Sequence, residues 1–267
     1  MADNSDTFSQ ILQEATLTPS YTFDSLNQDF SWKELKTELT RRINSYSSKW
    51  SVYLKDLTTG NVISINERAQ ESASLIKLYV MGAVMQEIQN GNLEMNDTTK
   101  HLLDEMITVS DNDAANTLTT YLGGGDSAAG MQAVNSFCQA HGYDQTHMGR
   151  MLLASNENDD NYTSVGDCGH LLQEIYKQDT SGYTHAADMF NLLKAQTRCN
   201  KIPAQLPEGV KTANKTGELD NVENDAGIIY DSKNDVVIVF MSQNLSSAGS
   251  AQNTIATLSR TIYDYYN

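Results

Sequence analysis

Long apolar runs are missing from this chain of 267 residues, and no hydrophobic signal core stands at its start. A membrane-spanning helix needs about 20 apolar residues in a row, so no membrane span is expected in this chain. The opening Met1-Ala2-Asp3-Asn4-Ser5-Asp6 reads as a start placed on a trimmed chain. An export signal is therefore expected to have been removed, and the expected setting is extracellular or at the cell envelope. Positive charge is scarce too: 18 Lys and Arg stand against 34 Asp and Glu, a formal net charge of −16. Nucleic acids and anionic membrane surfaces are held by clustered positive charge, which excludes both as partners. Cysteine is nearly absent, and Cys138, Cys168 and Cys199 lack metal-ligand spacing. They are expected to be buried free thiols, with one disulfide open if the protein is exported. His101, His141, His147, His170 and His185 form no zinc-helix pattern, so no metal and no cofactor is expected. Repeats and low-complexity runs are also missing. What remains is one large domain or two intertwined subdomains.

The elements follow a clear order. Residues 1–30 are polar, carry Pro19 and lack periodicity, so they read as a tail or linker. Ser31-Trp32-Lys33-Glu34 reads as a capping box, and Leu35, Leu39 and Ile43 predict an amphipathic helix to about Tyr46. Segments 50–57 and 62–66 alternate like strands around the turn Thr58-Thr59-Gly60-Asn61 and predict a hairpin. Helices are predicted over 74–89, 98–107, 110–121, 128–141, 165–176 and 186–196, with a polar loop over 149–161. After Pro203 and Pro207 the pattern returns to strands at 209–216, 226–230 and 236–241, the last two joined by the turn 231–235. A closing helix is predicted over 251–265. The expected fold is α/β, an α+β sandwich. One antiparallel sheet is built from both chain ends (31–73 and 205–267) with flanking terminal helices, and an all-helical subdomain (74–204) is inserted between.

Ser74 is the only serine in the chain with a lysine three residues on, Lys77. Positions three apart share a helical face, so the two side chains can meet. The helix behind them is apolar on all sides, as a buried helix is. A lysine there is poorly solvated, which lowers its pKa and lets it take a proton from a serine hydroxyl. Ser74 also stands in the helix's first turn, where backbone N–H groups lack intrahelical partners and can hold a developing oxyanion. Alone this pattern is far more often an N-cap serine with a snorkelling lysine. Two further motifs follow at subdomain junctions: Ser110-Asp111-Asn112 at a loop-to-helix boundary, and Lys215-Thr216-Gly217 on the returning strand.

S-x-x-K, S-D-N and K-T-G in this order resemble the class A β-lactamases and the wider superfamily of penicillin-recognising serine hydrolases. The resemblance covers residues 31–267 and is strongest over 106–116. It implies that Ser74 is the acylated nucleophile and Lys77 its proton acceptor, directly or through water. By the same resemblance Ser110 relays a proton to the leaving nitrogen, and Lys215 tunes that step. Asn112 contacts the substrate's acylamido group, and Thr216 with Lys215 contacts a carboxylate. The Ser74 and Glu218 N–H groups form the oxyanion hole, while Gly217 admits a close approach. Asp111 is expected to be structural, at a helix start.

The chain departs from that family in one place. Its members carry a deacylating glutamate two residues after a loop arginine. Here the matching arginine is Arg150, and two residues on is Leu152, which cannot activate water. Glu157 is the only glutamate in the loop and reads as a solvated carboxylate. Glu218, just past Lys215-Thr216-Gly217, is expected to face solvent or to pair with Lys211, since an unpaired carboxylate would repel an anionic substrate. The expected function is a monomeric serine hydrolase acylated by a β-lactam or a related amide or ester, with slow deacylation. The runners-up are a D-alanyl peptidase or esterase of the penicillin-binding type, and a β-lactam-binding sensor domain without turnover.

Overall fold

The computed structural model of the protein describes residues 23–177, 185–231 and 233–266. The chain forms two compact units, Met1–Leu39 and Thr40–Asn267. In chain order the main elements are α1 (Phe23–Ile43), β1 (Lys49–Asp56), β2 (Val62–Ile65), β3 (Gln70–Glu71), α2 (Ile76–Gln89), α3 (Asp97–Asp104), α4 (Asn112–Leu122), α5 (Ser127–Ala140), β4 (Tyr162–Thr163), α6 (Val165–Lys177), α7 (Ala186–Lys194), β5 (Lys211–Leu219), β6 (Val222–Tyr230), β7 (Val236–Gln243) and α8 (Ala248–Tyr266). Helix α1 begins eight residues before the expected Ser31, which lies inside it. No proline or glycine between Pro19 and Ser31 interrupts a helix. The expected tail is otherwise outside the described residues, as are 178–184 and Ser232.

Five strands form one sheet in the order β2-β1-β7-β6-β5, every neighbouring pair antiparallel. Strand β1 pairs with β7 from Lys49↔Gln243 to Asp56↔Val236, so segments almost 200 residues apart in sequence share the sheet's centre. Such a register is fixed because a slip by one residue would turn the buried faces of Val52 and Leu54 outward. A short ribbon of β3 and β4 ties residues 70–71 to 162–163. Helix α2 is the axis of the helical block: every residue from Ile76 to Met85 is buried. It packs against α4 and α5, while α6 lies against β1, β6 and β7, and α8 against β6 and β7.

Strand β6 starts at Val222, earlier than the expected Ala226. Its Glu223, Asn224 and Asp225 are polar yet buried, because each is paired. Glu223 meets Lys201 and Gln252. The Asn224 amide donates to Glu71 O and Ser72 O and accepts from Ser242 N. Asp225 accepts from Ile202 N and Asn214 Nδ2. Buried polar groups that find partners carry little penalty. Of the cysteines, Cys138 and Cys168 are buried and Cys199 is exposed, against the expectation for the last. Burial raises the first two thiols to about 12, which leaves them unreactive.

Candidate active site

Ser74 sits in a single 3-10 turn, Ala73–Leu75, that feeds directly into α2. The preceding Ala73 has φ 47°, a left-handed conformation that costs a non-glycine residue about 1–3 kcal/mol and tends to mark functional sites. Half-buried Ser74 therefore stands at a sharp bend with its hydroxyl turned toward Lys77. The Lys77 amine is fully buried and lies 3.0 Å from Ser74 Oγ. It also lies 2.6 Å from Ser110 O, 2.7 Å from Asn112 Oδ1 and 3.1 Å from Ser110 Oγ. Loss of hydration brings the Lys77 amine down to about 8, helped by Arg198 and opposed by Asp111.

Ser110 is pinned between two helices. A five-residue π-helical turn, Glu105–Val109, follows α3, and Ser110 closes it at φ 65°. The Asp111 N–H reaches back to Glu105 O at 3.0 Å, a six-residue closure of the kind that seals helix ends. Asp111 Oδ1 then accepts from Ala114 N at 2.7 Å and caps α4, which is the structural role expected of it. The carbonyls freed by the π turn are collected by residues 196–198. Gln196 Nε2 donates to Ile107 O (2.9 Å), and the Thr197 N–H and hydroxyl both donate to Thr108 O (3.1 and 3.0 Å).

Strand β5 supplies the third side. The buried Lys215 amine donates to Ser110 Oγ and to Thr216 O, both at 2.8 Å. Burial depresses its pKa far below the usual lysine range, and Lys77 and Arg198 push it further down. Gly217 lies against the Ser74 turn: a Cβ there would stand 2.8 Å from Ser72 O and 3.2 Å from Ser74 N. Only glycine lets β5 run this close. The structure thus brings Ser74, Lys77, Ser110, Asn112, Lys215, Thr216, Gly217 and Glu218 together from the 3-10 turn, α2, the end of the π turn, α4 and β5.

A cavity of about 340 Å³ opens between the Ser74 turn, the 150–161 loop and the end of β5. A smaller hollow of about 130 Å³ is lined by Ser74, Ser110, Asn112, Arg198, Thr216 and Glu218. Another hollow, about 330 Å³, lies between α2, α3 and α7 against Met85, Leu103 and Leu192, with no nucleophile. Leu152 lines the cavity with Ser74 and is held by a two-way bond to Asn116, Oδ1 accepting from Leu152 N (2.8 Å) and Nδ2 donating to Leu152 O (3.0 Å). Arg150 Nε binds Asp160 Oδ1 at 2.7 Å and Nη1 binds Ala154 O at 3.1 Å, closing the loop. Asn161 accepts from Gly149 N and Arg150 N, and its carbonyl takes the Ser72 N–H. Glu157 is exposed and does not line the cavity.

Glu218 departs from expectation. It does not pair with Lys211, which binds Asp231 instead. Its two oxygens are taken by Arg198 Nη1 at 2.8 Å and by Lys201 Nζ at 3.0 Å. Burial opposes its charge, yet Lys201 and then Arg198 outweigh burial and hold the carboxyl below its ordinary value. Arg198, Lys201, Asp160 and Asn161 escape a reading by motif. Among the described residues no cluster of three or more His, Cys, Asp or Glu is placed to hold a metal, and no helix is long and apolar enough to cross a membrane.

A comparison with curated proteins gave no match. Among solved structures, the beta-lactamase from Sphaerobacter thermophilus superposes with TM-score 0.74 at 20% identity, covering 86% of this chain and 95% of its own. A variant of PBP-A, solved as an acyl-enzyme complex with penicillin G, gives 0.78 at 19% identity, covering 87% and 96%. The TLA-1 extended-spectrum beta-lactamase, also as a variant, gives 0.78 at 18% identity, covering 87% and 98%. At such identities the superpositions speak for the fold, which is that of class A beta-lactamases. The family rests on sequence: the model of the "Beta-lactamase enzyme family" matches residues 34–100 and 96–266, and this chain belongs to that family.

Proposed function

We propose that the protein is a serine hydrolase acylated at Ser74 by a β-lactam or a related amide or ester, and that the acyl-enzyme is released slowly. The observation that carries this reading is the surroundings of the Lys77 amine. Ser110 O and Asn112 Oδ1 can only accept, at 2.6 and 2.7 Å, so they claim two N–H bonds. A neutral amine has two hydrogens and one lone pair, and the lone pair is left for a hydroxyl, Ser74 at 3.0 Å or Ser110 at 3.1 Å. With a pKa of about 8 the neutral form is about a tenth of the total at pH 7.

The steps balance as follows. Ser74 Oγ bonds the substrate carbonyl carbon while its proton passes to Lys77 Nζ. The carbon–nitrogen bond breaks, the leaving nitrogen takes the Ser110 proton, and Lys77 returns a proton to Ser110 Oγ, 3.1 Å away. Lys215, also on Ser110 Oγ, makes that hydroxyl a better proton donor. The Ser74 and Glu218 N–H groups are assigned to the oxyanion, Asn112 to the acylamido group and Thr216 to the substrate's far end.

Hydrolysis of the acyl-enzyme needs a base beside the attacking water. Leu152 has none to give. The carboxylates lining the cavity, Asp160 and Glu218, are engaged by Arg150 and by Arg198 with Lys201. The PBP-A variant solved as an acyl-enzyme complex with penicillin G supports the acylation half of this reading, by likeness of fold. The extracellular or cell-envelope setting belongs to this proposal as well.

Intact mass of the protein with benzylpenicillin, followed over time beside Ser74→Ala, tests it. The expected result is a Ser74-dependent adduct that lasts for hours. An adduct gone within seconds, with penicillin consumed, refutes slow release. No adduct at all moves the substrate away from β-lactams toward the esters and D-alanyl peptides of penicillin-binding enzymes.

A further inference from the structure

We infer that Glu218 is an internal counter-anion that occupies the anion-binding corner of the site, so that acyl donors lacking a carboxylate there are preferred. This rests on Ser74 being the acylated residue.

Four cations stand on the side chains that line the site, and each is engaged. Lys77 and Lys215 are buried and direct their N–H groups at Ser110, Asn112 and the Thr216 carbonyl. Arg198 and Lys201 each hold one oxygen of the Glu218 carboxylate, at 2.8 and 3.0 Å. Lys201 is further bound to Glu223 at 2.7 Å and to the carbonyls of Asn224 and Gly217. The Arg198 Nη2 donates weakly to Val109 O at 3.4 Å. Arg198 and Lys201 thus face two carboxylates, Glu218 and Glu223, and within this group of four the charges balance.

Place matters as much as the sum. Arg198, Thr216 and Glu218 line one hollow of about 130 Å³ with Ser74. A substrate carboxylate seated on Thr216 there finds the guanidinium already taken and a second carboxylate alongside. Like charges a few ångströms apart in partly screened surroundings disfavour binding by about tenfold or more. A neutral amide or ester group in the same hollow meets no such opposition, and its oxygen can accept from the Thr216 hydroxyl.

The test compares second-order acylation by benzylpenicillin and by its methyl ester, read by intact mass at Ser74. In the wild-type protein the ester is expected to react at least as fast as the free acid. In Glu218→Gln and Glu218→Ala the acid-to-ester ratio is expected to rise about tenfold, because Arg198 is released. In Arg198→Gln the ratio is expected to fall. Taking ratios removes any change common to both donors, including altered backbone position. The inference is overturned if the wild-type protein prefers the acid by tenfold or more. It is equally overturned if the ratio stays within twofold in both Glu218 variants while they melt near the parent. If neither donor labels Ser74 in any protein, the acylation reading itself fails, an outcome distinct from an unchanged ratio.

Discussion

The Lys77 amine faces two oxygens that only accept and two hydroxyls that can also donate. In the proposed mechanism its basic form is the active one, and its pKa is lowered to about 8. Acylation is therefore expected to rise about tenfold per pH unit below that value and to level off above it. The pH profile of Ser74 labelling measures this, and a rate independent of pH between 6 and 8 removes Lys77 as the base. Asp225 makes a second case. Burial raises its pKa to about 6 from a model-peptide value of 3.8, despite Lys201, Asn214, Ile202 and Lys215. A group whose folded pKa is raised stabilises fully below its unfolded pKa, and that contribution is lost as pH rises through about 6. Asp225→Ala leaves the Ile202 N–H and the Asn214 amide without acceptors and should cost about 3 kcal/mol in urea unfolding. It should also flatten the change of stability between pH 4 and 6. At this scale the three motifs stand out by spacing and take their roles from the family resemblance, but the pairing of Glu218 is not legible. Its partners stand 20 and 17 positions earlier in the chain, and nothing in the local sequence announces that the 198–201 segment passes beside the end of β5.

Elements explain what the motifs leave open. The hairpin of β1 and β2, the buried α2 and the strand β7 follow from alternation and apolar content, and they lie where the sequence puts them. Strand β6 is expected to start only at Ala226 by the same logic, since Glu223-Asn224-Asp225 is too polar for a buried strand until Lys201, Ser72 and Asn214 are brought against it. The π turn before Ser110 is invisible as well, because its carbonyls are satisfied by residues almost 90 positions later. The 150–161 loop has a sharper consequence. Leu152 is clamped by Asn116 and faces the cavity with Ser74. Leu152→Glu places a carboxylate on the same side of the acyl bond, and the lifetime of the benzylpenicillin adduct should fall on the order of a hundredfold. Intact-mass decay reads this directly, and an unchanged lifetime means that the attacking water is held elsewhere.

The whole molecule carries a formal charge of −16, while the cations of the site are buried or paired. An anionic acyl donor is therefore repelled on approach as well as in the hollow. Salt shortens the reach of that repulsion to about 10 Å at 0.1 M. Ser74 acylation by benzylpenicillin should accelerate several-fold between 10 and 200 mM NaCl, and acylation by its methyl ester should not. Equal salt responses for the two donors would mean that the field at the site does not follow the net charge.

Two lysines meeting on one half-buried hydroxyl have a consequence for the stability of the whole fold. An amine that ionises near 8 instead of 10.5 weakens the folded state at neutral pH on the order of 3 kcal/mol, against a typical total of about 5–15 kcal/mol. Lys215 adds to the burden. A lineage kept only for its heat resistance would discard both residues early, as apolar replacements at Lys77 and Lys215 relieve the strain. Holding both in one site trades stability of the fold for two amines of lowered basicity.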